Sequence, residues 1–315
     1  MIGGTAAVLW CVFAGSAFVA SLYVWRQDRG RNPDEDVRVV RHRLISVCTA
    51  SAVLLVLLRV LVAHCDLAPA GFLAFIGVRP DAGLLRACAA SVALTCTLFL
   101  GPIAMSLASG YPLIDDDNNN NNDNAGSSSS SKSTPGTGFA VVSYFSAAYR
   151  AALPRLVRAR LASTDFWRAI VAGPVTEELV YRACMCPVLR AAGYGNAFCC
   201  AVPPLCFGLA HVHHLRKHLR TMRPADALLA TLLQLAYTTV FGAFSCFVYL
   251  RTGHLAACVL THMLCNHFGF PDVETLLEHE HRVPLLGAFV AGVVLFFVLL
   301  GPLTAPALYP SSMWA

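Results

Sequence analysis

Long apolar runs, separated by shorter polar stretches, follow one another along most of the chain. About 20 apolar residues of helix are needed to cross the hydrocarbon core of a bilayer. Backbone groups in lipid must be hydrogen-bonded internally, and these runs are far too long for barrel strands. The pattern therefore predicts an all-α, polytopic bundle of about eight membrane-spanning helices, at residues 2–25, 44–64, 87–109, 169–192, 197–212, 227–250, 253–270 and 284–307.

One segment interrupts this pattern. Residues 111–138 are rich in Asn, Asp and Ser and hold very few apolar side chains. Such a segment cannot offset the entropy of ordering, so we expect a disordered insertion without chemistry of its own. It divides the chain into N-terminal transmembrane helices at 1–110 and a second helical core at 139–315. At the start of that core, Tyr144 to Arg160 has the spacing of a helix lying on the membrane surface.

Composition and charge agree with a membrane protein. The chain is 57% hydrophobic and 13% charged, whereas soluble domains carry about 25% charged residues. This shortage excludes a water-soluble fold, a disordered protein and a typical nucleic-acid binder. Sixteen Lys and Arg residues fall in the first, third and fifth loops, against four in the second, fourth and sixth. Because basic residues stay cytoplasmic, the odd-numbered loops are predicted to face the cytosol.

Ionisable residues inside apolar helices are costly and usually functional. The first such group lies in GPVTEELVYRA and comprises Glu177, Glu178 and Arg182. Residues four apart share a helix face, so Arg182 should pair with Glu178. Residues five apart diverge by roughly 140°, which leaves Glu177 pointing elsewhere. We expect Glu177 to act as a general base, while a purely structural ion-pair network stays open for Glu178 and Arg182.

Two further groups lie in FGLAHVHH and LTHMLCNHFG. Phe207 with His211, and His262 with Asn266, are pairs four residues apart, so each pair shares one helix face. His262 and Asn266 can both donate hydrogen bonds to one oxygen, as an oxyanion hole requires. His211 can share a proton with a nearby carboxylate. Together with Glu177 they suit water-mediated hydrolysis of an amide.

Other classes of site stay open on these residues alone. His214 and His218 have the spacing of a two-histidine zinc site, so a metal-dependent membrane hydrolase is an alternative. The chain has no HExxH motif, and the HEH at His279 to His281 is expected to be solvated. A proton-coupled transporter could also use intramembrane carboxylates and histidines.

The three motifs in order, EExxxR, FxxxH and HxxxN, resemble the type II CAAX prenyl endopeptidases. These Ras-converting enzymes are part of a wider superfamily of intramembrane glutamate proteases. The resemblance extends over most of 1–110 and 139–307, with SLYVW near Tyr23 and NHFGFP after the third motif. The Asn- and Ser-rich insertion departs from the family pattern, but it lies outside all three motifs.

The resemblance implies a multi-pass protease of the endoplasmic reticulum membrane, with an active site open to the cytosol. Its substrates would be prenylated CAAX proteins such as small GTPases, from which it removes the last three residues. No cofactor or metal is implied. Carried over by motif, Glu177 would activate water with help from His211, and His262 with Asn266 would stabilise the oxyanion. The supporting positions would be Glu178, Arg182 and Phe207. A scaffold that binds prenylated proteins without cutting them is a further alternative, because fold alone does not decide activity.

Overall fold

The computed structural model describes residues 2–25, 36–109, 158 and 161–314. This part of the chain contains helices, turns and irregular segments but no β-strand, which confirms the predicted all-α class. The helices in chain order are α1 (Gly4–Ser21), α2 (Val37–His64), α3 (Phe72–Phe75), α4 (Gly83–Leu98), α5 (Leu100–Ser109), α6 (Thr164–Phe166), α7 (Gly173–Glu178), α8 (Cys186–Ala191), α9 (Asn196–Cys199), α10 (Val202–Ala210), α11 (Leu215–Thr221), α12 (Pro224–Thr252), α13 (Leu255–Phe268), α14 (Val273–Glu278) and α15 (Arg282–Leu303).

Shorter helical turns of other types complete the fold. Two π-helical segments flank α7, the first at Trp167–Ala172 and the second at Leu179–Ala183. One 3₁₀ turn, His211–His214, joins α10 to α11, and another lies at Pro306–Leu308. The predicted insertion at 111–138 lies outside the described residues, as does the predicted surface helix apart from Arg158. The division at 110 and 139 therefore stays a prediction.

The described helices supply five candidate membrane spans, or six if a bent pair is counted as one. The five are α1, α2, the stretch Asn196–Thr221, α12 and α15, and the bent pair is α4 with α5 at 62°. Two of the eight predicted crossings are not among them. The predicted crossing at 169–192 is divided by the π segments and by a turn after Ala183. Helix α13 has 14 residues and rises only about 21 Å, less than the core of a bilayer.

Apolar and polar residues are arranged as expected for a membrane bundle. The outward faces of α12 and α15 expose large apolar side chains such as Val240 and Phe297, at 71% and 68%. Two charged residues, Glu178 and Arg182, are among the largest fully buried side chains. The centre of this bundle therefore holds polar chemistry inside an apolar shell.

Close packing of α10 against α12 brings two motif-bearing helices together. A Cβ atom at Gly242 would lie 3.0 Å from Pro204 Cα, and one at Gly208 would collide with the Thr239 side chain. Small residues of this kind let membrane helices approach closely. As a result the rings of Phe207 on α10 and Phe241 on α12 lie 6.2 Å apart between centroids.

A sharp reversal after α12 aims α13 back into the bundle. Gly253 has φ of 72°, the left-handed region that favours glycine, and a Cβ there would collide with the backbone of Ser311. The Ser311 hydroxyl donates to the Thr252 carbonyl at 2.8 Å, which fastens the C-terminal segment over the turn. Helix α13 then runs alongside α4 and α12 and carries His262 and Asn266 toward α7.

Candidate active site

The buried ion pair predicted from spacing is present. Arg182 Nε lies 3.0 Å from Glu178 Oε2, and both side chains are fully buried. The Ser245 hydroxyl donates to the same carboxylate oxygen at 2.7 Å. The Arg182 guanidinium also lies over the rings of Phe207 and Phe241, 4.9 and 5.8 Å from their centroids. The negative charge of Glu178 is thus compensated by Arg182 in the buried interior of the bundle.

His262 lies between the two adjacent glutamates. Its Nδ1 is 2.8 Å from Glu178 Oε1, and it donates there because that carboxylate also faces Arg182 and can only accept. Its Nε2 is 3.6 Å from Glu177 Oε2, which is an ion-pair distance but longer than a hydrogen bond. The assignment of the ring proton to Nδ1 follows from these partners. His262 is therefore oriented by Glu178 and presents Nε2 to Glu177.

Glu177 differs from its neighbour in facing open space. Its side chain is 24% exposed and lines a cavity of about 330 Å³. Among the ion pairs of the described residues, Glu177 takes part in one, the long contact with His262. A carboxylate in this position is accessible to water, and its ion-pair contact within the described ranges is with a histidine.

His211 reaches the same cavity from the 3₁₀ turn after α10. Its Nδ1 donates to the Phe207 carbonyl at 2.9 Å, since a carbonyl oxygen can only accept. In the neutral imidazole Nε2 is then left as a proton acceptor. The Phe207 ring packs edge-on against the imidazole, 4.8 Å between centroids. Phe207 thus positions His211 through both its backbone and its ring.

Asn266 lies one turn after His262 on α13 and also lines the cavity. Its Nδ2 donates to the Ala169 carbonyl at 2.8 Å, which fastens α13 to the first π segment. The amide group has a second N–H that this bond does not use. His262 lies behind Glu177 and is not part of the cavity wall. Joint donation by His262 and Asn266 to one oxygen stays a prediction.

Residues near the end of α1 and near the start of α2 line the cavity. Its apolar wall is formed mainly by Phe18, Val19, Leu22, Leu44 and Val47. Its polar side chains are Glu177, His211, Asn266, Thr176, Tyr181, His213, His214, Arg43 and Arg168. Three predicted site residues therefore meet on one wall together with Phe207, while Glu178, Arg182 and His262 lie directly behind them.

The histidines considered as metal ligands make other contacts. His214 Nδ1 lies 3.1 Å from Gln234 Oε1, and His218 Nδ1 lies 3.2 Å from Thr231 Oγ1, so both contact α12. In the described part of the chain, no group of three or more His, Cys, Asp and Glu side chains is placed to hold a metal ion. Glu280 and His281 are 81% and 63% exposed, as expected for a solvated segment.

Several residues of the site were not predicted. Ser245 and Phe241 lie within an apolar run of α12, where nothing in the spacing points to Glu178 or Arg182. Arg43 and Arg168 were expected only as loop cations near the membrane surface. The structure places Arg43 in α2 and Arg168 in the first π segment, both on the cavity wall. The available signal for both arginines was their position within one helical turn of a predicted membrane span.

Comparisons with known proteins agree with the motifs. The family model described as type II CAAX prenyl endopeptidase Rce1-like matches residues 160–268, where all three motifs lie. Human CAAX prenyl protease 2 is 35% identical over 308 residues, 96% of this chain and 82% of the human protein. This chain belongs to the Rce1-like CAAX prenyl protease family.

Other members of the family show the same likeness. CAAX prenyl protease 2 of Rattus norvegicus is 33% identical over 306 residues, 96% of this chain and 80% of the rat protein. The Arabidopsis thaliana protein of the same name is 37% identical over 181 residues, 56% of each chain. No solved structure gives a significant match. The resemblance inferred from EExxxR, FxxxH and HxxxN is confirmed.

Proposed function

We propose that the protein is an integral membrane endopeptidase that removes the C-terminal tripeptide from prenylated CAAX proteins, with Glu177 as its general base. One observation carries the proposal. Of the two adjacent glutamates, Glu178 is buried against Arg182 at 3.0 Å, whereas Glu177 shares a cavity with His211 and Asn266. Membership of the CAAX prenyl protease family supports the substrate class.

The reaction begins with a water molecule held between Glu177 and His211. Glu177 takes a proton from the water, and the oxygen forms a bond to the carbonyl carbon of the prenylated cysteine. The free Nε2 of His211 accepts the second water proton in a hydrogen bond and orients the attack. The π electrons of the carbonyl move to its oxygen, which becomes an oxyanion.

Asn266 and His262 stabilise that oxyanion. Asn266 donates the amide N–H that Ala169 does not use. His262 already donates from Nδ1 to Glu178, so donation to the oxyanion from Nε2 requires a ring that carries a proton on both nitrogens. Donors fixed before the reaction act more strongly in a water-poor site than in bulk water. Glu178, Arg182 and Phe207 support these groups by fixing His262 and His211.

Collapse of the tetrahedral intermediate completes the reaction. The proton held by Glu177 moves to the nitrogen of the scissile bond, and the C–N bond breaks. The oxyanion electrons re-form the carbonyl, and the tripeptide leaves with a new amino terminus. The prenylated cysteine keeps a new carboxylic acid, which becomes a carboxylate when its proton passes back to Glu177. These steps use no metal ion or other cofactor.

The proposed site suits a substrate anchored in lipid. A prenyl chain partitions into the bilayer, at roughly 0.8 kcal/mol for each buried methylene group, so the adjoining peptide lies near the membrane surface. The cavity is lined by residues near the end of α1 and near the start of α2, and the sequence that joins these helices is rich in arginine. Since basic loops face the cytosol, we propose that cytosolic tails of proteins such as small GTPases enter there. We propose the endoplasmic reticulum membrane as the location.

Release of the tripeptide from a farnesylated CAAX peptide tests the proposal. The purified full-length protein in detergent is expected to cut the peptide after its cysteine, as followed by mass spectrometry. Glu177→Ala should abolish release, and a chelator should leave it largely intact. Glu280→Ala, at a glutamate whose side chain is 81% exposed, is the matched control and should keep the wild-type rate.

Three results would contradict parts of this proposal. Cleavage that survives Glu177→Ala would show that Glu177 is not the general base. Cleavage that a chelator stops and zinc restores would favour the metal-dependent hydrolase. A wild-type protein that binds the farnesylated peptide without cutting it would favour the scaffold.

A further inference from the structure

A second cluster of polar side chains lies outside the cavity, at the turn between α12 and α13. His254 is the residue just before α13, and its side chain is fully buried. Its Nε2 lies 3.1 Å from Oδ1 of Asp81, just before α4, and 3.0 Å from Oγ of Ser311 in the C-terminal segment. Within the described ranges its Nδ1 has no hydrogen-bond partner. One imidazole nitrogen therefore joins three separate segments of the chain.

The partners of His254 determine where its ring proton lies. The Asp81 carboxylate can only accept a hydrogen bond. The Ser311 hydroxyl gives its own proton to the Thr252 carbonyl at 2.8 Å, so its oxygen faces His254 as an acceptor. Nε2 therefore carries the proton and donates to both oxygens. A nucleophilic Ser-His-Asp relay needs the serine and the aspartate on different ring nitrogens. Because both share Nε2 here, the cluster is suited to holding segments together and not to nucleophilic catalysis.

Neighbouring contacts support the one between His254 and Asp81. Asp81 Oδ1 also accepts the Gly83 N–H at 2.7 Å, at the start of α4. The Leu255 N–H, in the first turn of α13, donates to the Gly77 carbonyl at 3.0 Å. A Cβ atom at Gly83 would lie 3.0 Å from both Asp81 Oδ1 and His254 Nε2, which is closer than ordinary contact. The beginning of α13 is thus fastened to the segment before α4.

The cluster lies at the other end of α12 from the cavity. Gln234 of α12 contacts His214 on the cavity wall, and this continuous helix ends at Thr252. At about 1.5 Å of rise per residue, the two α12 positions are about 27 Å apart. From His254, α13 runs back into the bundle and reaches His262 after about 12 Å.

Helix α13 is held by side-chain contacts at three points along its length. The first is His254, with Asp81 and Ser311. In the middle, His262 Nδ1 lies 2.8 Å from Glu178 Oε1, and near the end the Asn266 amide donates to a carbonyl of the first π segment at 2.8 Å. Rigid elements of this kind carry a shift from one end to the other. Misplacement of a catalytic group by about 1 Å can cost about 100-fold in rate.

We infer that His254, held by Asp81, is a positioning residue that sets the start of α13 and thereby the places of His262 and Asn266. The inference rests on the proposed function, in which these two side chains stabilise the oxyanion. They are assigned to the transition state and not to binding of the substrate. Loss of the contact at His254 should therefore lower kcat and leave KM nearly unchanged.

Steady-state cleavage of a farnesylated CAAX peptide by the full-length protein in detergent tests the inference. His254→Leu and Asp81→Ala should each lower kcat at least tenfold, with KM changed less than threefold. His254→Gln should keep most of the wild-type rate, because its amide N–H reaches the position of Nε2. His254→Asn has a shorter side chain, whose amide lies near the position of Nδ1, and should be as slow as His254→Leu.

Two controls separate positioning from a general loss of stability. Asp226→Ala removes an aspartate whose ion pair with Arg223 is exposed and should keep the wild-type kcat and KM. Leu58→Ala opens a space in the buried core, at a residue that is not on the cavity wall. It should lower thermal stability while kcat per folded molecule stays within threefold of wild type. Thermal unfolding is measured for every variant, so that each is compared with a control of similar stability.

The outcomes distinguish the inference from the function on which it rests. A wild-type kcat in His254→Leu and Asp81→Ala would overturn positioning by His254 and leave the protease intact. A loss of kcat in Leu58→Ala as large as theirs would overturn it as well, because general instability would then explain the effect. Equal rates for His254→Gln and His254→Asn would do the same, since the Nε2 contact would then be unimportant. A wild-type protein that does not cut the peptide would overturn the proposed function, and this inference with it.

Discussion

Glu177 and Glu178 are neighbours in the chain, yet their surroundings have little in common. Glu178 is fully buried and contacts Arg182, Ser245 and His262 within 3.0 Å. Glu177 is 24% exposed, and its ion-pair contact with His262 is longer, at 3.6 Å. The Glu178 carboxylate is therefore fixed by three polar contacts, whereas the Glu177 carboxylate faces the cavity.

This difference is consistent with the proposed role of Glu177 as the general base. A charge inside the bilayer requires compensation, and Arg182 with Ser245 compensates Glu178. The anchored Glu178 then orients His262, whose other nitrogen faces Glu177. Glu177 thus contacts an oriented imidazole while its side chain stays partly exposed to the cavity. In the proposed mechanism the buried pair organises the site, and the open carboxylate reacts with water.

Exchanging each glutamate for glutamine is the strongest test of these separate roles of Glu177 and Glu178. Glu177→Gln should lower kcat by about 100- to 10,000-fold, the usual contribution of a general base, with almost no change in stability. Glu178→Gln leaves Arg182 buried without its carboxylate and should cost about 3–5 kcal/mol of unfolding free energy. Tripeptide release and thermal unfolding in detergent measure the two effects. Equal losses of stability in both variants would show that the two carboxylates do not have separate roles.

Removal of the Ser245 hydroxyl should have an intermediate effect. Its hydrogen bond to Glu178 is charge-assisted, so Ser245→Ala is expected to cost about 1.5–3 kcal/mol of unfolding free energy. Activity should fall much less than in Glu177→Gln, because Ser245 acts on Glu178 and not on the cavity.

Ser91→Ala is the matched control for this change. Ser91 is equally buried, but its hydroxyl has no hydrogen-bond partner within the described residues. Its removal should be neutral or slightly stabilising. Similar losses in the two serine variants, measured by thermal unfolding, would argue that the contact with Glu178 is unimportant.

The part of this arrangement that could be predicted from sequence is local. Spacing along one helix correctly paired Arg182 with Glu178, and apolar runs correctly indicated an all-α membrane bundle. The number of spans was less predictable, because hydropathy does not reveal the π segments around α7 or the shortness of α13. Breaks of this kind depend on packing against neighbouring helices.

Contacts between distant parts of the chain lay beyond sequence reasoning. Ser245 and His262 are 67 and 84 residues from Glu178, and no periodicity relates these positions. Arg43 was predicted only as a cytosolic charge, since the positive-inside rule assigns a side of the membrane and not a cavity. The roles of Glu177, His211, His262 and Asn266 stay predictions that the variants above can test.

The smallest expected effect comes from the buried tyrosine beside the two glutamates. Tyr181 lines the cavity and packs edge-on against Phe207, but its hydroxyl is without a hydrogen-bond partner among the described residues. Tyr181→Phe should therefore change the unfolding free energy by less than about 0.5 kcal/mol and activity less than threefold. Tyr309→Phe removes a hydroxyl that donates to the Leu303 carbonyl at 2.6 Å and should cost about 1 kcal/mol. A larger loss of activity in Tyr181→Phe than in Tyr309→Phe, at unchanged stability, would place the Tyr181 hydroxyl in the reaction beside Glu177 and contradict the assignment of catalysis to the three motifs alone.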